Sequence, residues 1–135
     1  MSCKDKKIIV VGGGIGGLAA AVALSQQGVH VTVLEQAAEL GEIGAGVQLG
    51  PNAFAALDAL GVGEKARKRA VFTERLIMMD AVDGSEVGSF PVGQAFRDRF
   101  QNPYAVIHRA DIHATILEGA QVSDLIQVET STKVV

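Results

Sequence analysis

The stretch from Lys6 to Leu24 constrains the fold more than any other part of the chain. An apolar run, Ile8-Ile9-Val10-Val11, opens directly into Gly12-Gly13-Gly14-Ile15-Gly16-Gly17 and then into an alanine-rich segment. A short β-branched run bounded by glycine predicts a buried strand, and the alanine-rich segment predicts a helix. Gly12, Gly14 and Gly17 satisfy the spacing G-x-G-x-x-G. In that pattern the first glycine permits a tight turn, the second lets the backbone approach a pyrophosphate, and the third lets helix and strand pack closely. The unpaired amides and positive dipole end of the helix then face an anion.

A chain with 16 glycines can meet such a pattern by chance, so the flanking residues decide. Leu18 to Gln27 continues the helix, Gly28 supplies a C-cap, and Val29 to Leu34 supplies a second apolar strand. Glu35 follows about 20 residues beyond the turn, where a βαβ nucleotide site places the acid that accepts hydrogen bonds from a ribose. A helix packed on a sheet by small residues, with Glu35 as a solvated strand end, is the plainer alternative. Lys4, Lys6 and Lys7 before Ile8 to Leu24, with Ala21-Val22-Ala23, also imitate a secretory leader. The glycine cluster argues against a continuous helical leader, and the run is shorter than the roughly 20 residues needed to span a bilayer.

At 135 residues and 48% hydrophobic content the chain is sized for one globular domain. Its formal charge of -3 offers no basic field for nucleic acid. The short cluster Lys65-Arg67-Lys68-Arg69 falls on a predicted helix and reads as a solvated face. The single cysteine, Cys3, excludes a disulfide within the chain and fits a reducing compartment, so a cytoplasmic location is expected. His108 and His113 lack a third ligand and read as structural, so no metal is expected.

The pattern predicts strand 6–11, helix 15–27, strand 30–34 and a long loop from Gln36 to Gly50. Pro51-Asn52 opens a helix, Ala53 to Leu60, closed by Gly61, and a short helix covers 63–69. Glu74 to Ala81 and Ser85 to Phe90 read as a β-hairpin turned by Asp83-Gly84. A polar stretch, Gly93 to Pro103, leads to a strand at Tyr104 to Ile107, a helix at Asp111 to Gln121, a strand at Leu125 to Glu129 and the start of another at Lys133 to Val135. The fold class is α/β: a Rossmann-like βαβ domain covering 1–135, with a hairpin inserted at about 72–107. The last β-like run has neither turn nor cap, which predicts a sheet incomplete at its C-terminal end and a piece of something longer.

The long loop carries the most specific signal, Glu42-Ile43-Gly44-Ala45-Gly46-Val47-Gln48-Leu49-Gly50-Pro51-Asn52-Ala53. Gly44, Gly46 and Gly50 would let backbone approach a flat ligand, Val47 and Leu49 would offer apolar contact, and Gln48 a neutral donor and acceptor. An ordinary glycine-rich connection is the alternative. Arg109 falls near the start of a predicted helix, where a cation opposes the dipole and a bound anion would offset the cost. Pairing with Asp111 or another surface acid would serve as well.

With the glycine turn, Glu35, Gly44 to Gln48, Gly50-Pro51-Asn52-Ala53 and His108-Arg109-Ala110-Asp111 in hand, the chain resembles the amino-terminal part of single-component FAD-dependent aromatic hydroxylases, in their salicylate-hydroxylase-like branch. The likeness covers essentially the whole chain. It implies that Gly12, Gly14, Ile15 and Gly17 hold the FAD pyrophosphate and that Glu35 and Gln36 hold the adenosine ribose. Val47 and Gln48 would lie near the flavin or its ribityl chain, Arg109 at the phosphate-ribitol region, and Val134 near the adenine. In such enzymes NADH or NADPH reduces the flavin, and oxygen then forms a flavin C4a-hydroperoxide that hydroxylates a phenolic or hydroxybenzoate-type ring. The implied partners are a small aromatic substrate, O2 and further copies of the chain in a homo-oligomer, in aromatic compound catabolism. The family's two later flavin motifs and its substrate-covering sheet are absent from these residues. No catalytic residue is therefore expected in this chain, and no hydroxylation by it alone. Two other readings stay open: a dehydrogenase domain holding NAD, with NADP disfavoured by Glu35, and a stand-alone nucleotide-binding module without activity.

Overall fold

The computed structural model describes residues 6–41 and 44–135. The readings of Cys3 and Lys4, and the Glu42-Ile43 part of the loop, lie outside the described residues. β1 (Lys7–Val11) leads into α1 (Ile15–Gln26) and β2 (His30–Leu34), the predicted βαβ opening. β1 and β2 pair in parallel from Lys7↔His30 to Val11↔Leu34. The final strand, β8 (Ile126–Glu129), returns to lie parallel on the other side of β2, so the sheet order is β1-β2-β8.

α1 buries Leu18, Ala21, Val22 and Ser25, one helical face at spacings of three and four residues. Its end is fixed by backbone: Gly28 takes φ +78° and donates to Ser25 O, while the Val29 amide reaches Leu24 O at 3.3 Å. That 6→1 bond is a Schellman closure, and only glycine adopts its left-handed residue cheaply. The face meets Val29, Val31 and Val33 of the sheet side. On its other flank α1 packs against α5 (Arg109–Gln121), which contributes Ile112 and Ile116 to the larger core. Leu18 and Phe54 are fully buried there, each contributing roughly 1.5–3 kcal/mol by removal from water.

Between the halves of the parallel sheet runs an insertion. β3 (Gly46–Leu49), β7 (Ala105–His108) and the short β4 (Val71–Phe72) form an antiparallel sheet in the order β3-β7-β4. α2 (Pro51–Ala59) and α3 (Gly63–Arg69) follow β3, and β5 (Arg75–Met79) and β6 (Glu86–Pro91) form a hairpin of their own. Its connection is longer than a two-residue turn: Gly84 takes φ +72° and donates to Asp80 O, and the Asp80 amide donates to Ser85 O.

Four expectations change. The loop expected to run to Gly50 ends earlier, because Gly46 to Leu49 pair with Ala105 to His108 far along the chain. The polar stretch after Gly93 contains a helix, α4 (Gln94–Phe100), held by a Phe96–Phe100 ring contact and a Gln94–Asp98 hydrogen bond, each one turn apart. β4, two residues long, is too short to give a sequence pattern and becomes a strand only by pairing with β7. Lys133 to Val135 do not form a strand; the chain instead folds back so that the Ser131 and Thr132 amides donate to Ala37 O and Glu35 O.

No helix among the described residues is long and apolar enough to cross a membrane. The basic cluster is engaged within the chain: Lys65 and Arg69 pair with Glu118, Lys68 with Glu64, and Arg67 with Asp58.

Candidate nucleotide-binding site

The turn between β1 and α1 is built from backbone. Gly12 takes φ +102°, a left-handed value that a side chain would strain, and its amide is spent on Leu34 O at 2.7 Å. Gly14 caps α1 without a side-chain bond, and the Leu18 amide closes the first helical bond on Gly14 O at 3.0 Å. The amides of Ile15, Gly16 and Gly17 therefore precede the first closed turn, where helix geometry leaves them to a partner outside the helix. A methyl group on Gly17 would collide with the Gly12 carbonyl, which makes this the closest helix-to-turn approach in the motif. A methyl on Gly12 or Gly16 would meet nothing within 4 Å, so the space beside the turn is open. An open row of helix-start amides suits a pyrophosphate, and the turn fits the group the sequence implies.

Glu35 extends from β2 toward the turn. Its Oε2 accepts the Gly13 amide at 2.6 Å and its Oε1 accepts the Ala37 amide at 2.8 Å. The Ala37 amide above all, then the Gly13 amide, hold the carboxyl below the usual carboxylate range, against an opposing effect of burial; the Gln36 amide and His113 act in the same direction. It is an acceptor with lone pairs remaining for hydroxyl donors.

Two cavities flank this carboxylate. One, of about 190 Å³, is lined by Val11, Gly12, Leu34, Gln36 and Val134 beside Glu35. The other, of about 130 Å³, is lined by Gly13, Gly14, Glu39 and Leu40 beside Glu35, and its two acids make it unsuitable for a phosphate. Val134 reaches its cavity as coil rather than as a strand, carried there by the Thr132 to Glu35 backbone bond. A larger groove of about 400 Å³ lies where α1 and α5 meet the Leu60 to Lys65 segment, and none of its residues belongs to the turn.

The remaining expected residues form a second group. Arg109 is the first residue of α5; its amide donates to Ala45 O at 3.2 Å, and Gly44 lies so near that a methyl there would stand 3.1 Å from Arg109 Cδ. Val47 lies on β3, where it pairs with Ile107, two residues before Arg109. The apolar wall expected from Val47 and Leu49 is corrected: strand alternation turns Leu49 into the core and packs Val47 against it, leaving exposed Gln48 on the other face. Ile15 packs against the same core, which joins the two groups.

Two residues of the site carry no sequence signal, Gly13 within the turn and His113 outside it. Gly13 occupies an unspecified position of the fingerprint, yet it is buried, and a methyl there would stand 2.5 Å from Leu40 Cδ2 and 3.2 Å from Glu35 Cβ. His113, 3% exposed on α5, places Nε2 2.8 Å from Gly13 O. A carbonyl only accepts, so Nε2 carries the hydrogen. No local pattern announces a contact across 100 positions. His108 caps α5, its Nδ1 accepting the Ala110 amide at 3.2 Å. Among the described residues no group of three or more His, Cys, Asp or Glu could hold a metal ion.

Comparison with known proteins gives a family and relatives. The family model described as an FAD binding domain matches residues 5–135. The chain is 64% identical over 129 residues to 3-hydroxybenzoate 6-hydroxylase of Polaromonas naphthalenivorans (strain CJ2), covering 96% of this chain and 32% of that protein. It matches the structure of Klebsiella pneumoniae HpxO complexed with FAD and uric acid at 28% identity and a TM-score of 0.74, over 93% of this chain and 31% of that one. The tetrameric form of 2-methyl-3-hydroxypyridine-5-carboxylic acid oxygenase shares the fold, with a TM-score of 0.83 at 23% identity over 95% of this chain and 32% of that one. The chain spans about a third of the length of the curated relatives it matches.

Proposed function

The chain belongs to the FAD binding domain family, and from that premise we propose that it is the cofactor-holding part of a flavoprotein monooxygenase that hydroxylates a hydroxybenzoate-type ring with NADH or NADPH and O2. The observation that carries this reading is the open glycine turn beside an ionised Glu35, next to a cavity lined by Val11, Leu34, Gln36 and Val134 that suits the adenosine end of the cofactor. The substrate class is supported by the 64% identity to 3-hydroxybenzoate 6-hydroxylase.

FAD, when bound, supplies the electron transfer and oxygen activation that amino-acid side chains cannot. The chain's own residues bind and orient. The amides at Gly14 to Gly17 would receive the pyrophosphate, and the Glu35 carboxylate would accept the ribose hydroxyls. Val11, Leu34 and Val134 offer an apolar wall for the adenine face, beside Gln36. Arg109, with the exposed Gln48 of β3, would hold the ribitol end, and Val47 would support that strand from the core side. The parts that bind and deprotonate the ring are assigned to sequence beyond these residues.

The test is to incubate the protein with FAD, remove unbound cofactor by gel filtration and record the visible spectrum. A retained, perturbed flavin band is the expected result. Colourless protein that instead retains NAD would replace this reading with the dehydrogenase one. Oxygen uptake with NADH and 3-hydroxybenzoate, compared with salicylate and 4-hydroxybenzoate, would then settle the ring in the full-length protein.

A further inference from the structure

Three successive glycines form an intrinsically pliable backbone, and a pyrophosphate cradle cannot be pliable. A peptide plane between glycines turns over at little steric cost. If the plane joining Gly13 and Gly14 turned over, a carbonyl dipole would replace an amide at the anion. Something must therefore fix that plane, and the turn supplies no side chain to do so.

Two side chains from elsewhere hold Gly13. Glu35 takes its amide at 2.6 Å, and His113 donates to its carbonyl at 2.8 Å. The carbonyl of Gly13 and the amide of Gly14 belong to one trans peptide, so they point in opposite directions. Drawing the carbonyl toward buried α5 sends the Gly14 amide away from α5, and Gly14 is the N-cap residue that immediately precedes the amides of Ile15, Gly16 and Gly17. The Gly13 amide, spent on Glu35, is withdrawn from the anion in the same way.

We infer that His113 is a positioning residue for the cofactor: its Nε2–H fixes the Gly13–Gly14 peptide so that the Gly14 amide is aimed at the pyrophosphate. This rests on the FAD reading above. Glutamine can present an amide donor near the place of Nε2, whereas methionine fills a similar volume and donates nothing. The role is therefore separable from simple filling of the core.

The experiment compares the wild-type protein with His113→Met and His113→Gln. FAD dissociation constants are measured by quenching of flavin fluorescence, and the backbone amide resonance of Gly14 is followed by NMR without cofactor. Met is expected to weaken FAD binding about tenfold, the order of one lost buried hydrogen bond, and to shift the Gly14 resonance. Gln is expected to recover most of both. If Met leaves the affinity and the Gly14 resonance as in wild type, the inference is overturned. It is overturned also if Gln, folded to the same denaturant midpoint as wild type, behaves as Met does. If wild type binds no FAD while the Gly14 resonance still depends on residue 113, the FAD reading fails and the fixing of the peptide stands.

Discussion

Glu35 reaches back across the turn to accept the Gly13 amide through Oε2, while its other oxygen accepts the Ala37 amide. One carboxylate thus ties the glycine turn to the chain leaving β2, in addition to the ribose contact proposed for it. Both bonds require an acceptor-only group, and this determines what a near-isosteric replacement does.

Glu35→Gln keeps one carbonyl oxygen but sets an amide NH2 against a backbone amide. One of the two bonds is lost, at a cost of about 1 kcal/mol at this partly exposed position. A lowered urea midpoint and weaker FAD binding are expected together. A variant with wild-type values in both measurements would remove Glu35 from the site.

The pH dependence follows from the sign of the shift. The folded pKa of Glu35 lies below its unfolded value, so between the two the unfolded chain binds more protons. The stabilisation is fully present above about pH 4.5, the ordinary glutamate value, and is lost as pH falls through the lowered one. Denaturant midpoints measured down the acid limb should fall more steeply in wild type than in Glu35→Gln.

The glycines of the turn separate by what a methyl would meet. Gly17→Ala drives Cβ into the Gly12 carbonyl, so a loss of roughly 1–3 kcal/mol is expected from forced backbone displacement. Gly16→Ala meets open space at the second helical position, where alanine raises helix propensity, and stability should hold or rise. Its methyl would stand at the amide row, so FAD affinity should fall while the urea midpoint does not. Equal behaviour of the two variants would contradict this account of the turn.

Phe54 on α2 is fully buried, with its ring 6.2 Å from that of Phe72 and the Arg67 guanidinium 4.9 Å above it. Phe54→Ala is expected to cost about 3–5 kcal/mol, measurable by chemical denaturation. A cost below about 1 kcal/mol would show that this core refills the cavity.

What could be read from the sequence was local. The β1–α1–β2 opening, the caps at Gly28 and Gly61, and Glu35 all announce themselves through patterns a few residues long. β3 could not, because four residues among glycines become a strand only when β7 pairs with them. α4 left a trace in Phe96 and Phe100, a turn apart, but its charged residues read as loop. As a loop residue Leu49 has no fixed alternation and reads as a ligand contact, whereas a strand assigns it to the core. The partners of Gly13 lie 22 and 100 positions away, beyond any periodicity.

That last separation bears on how the protein is made. During synthesis the whole glycine fingerprint emerges within a few residues, yet its peptides acquire their fixed directions only after β2 and then α5 have left the ribosome. A nascent chain paused before residue 113 would display the motif without the donor that locks it. Cofactor capture would then report completed tertiary assembly, and the long-range closure would set its timing.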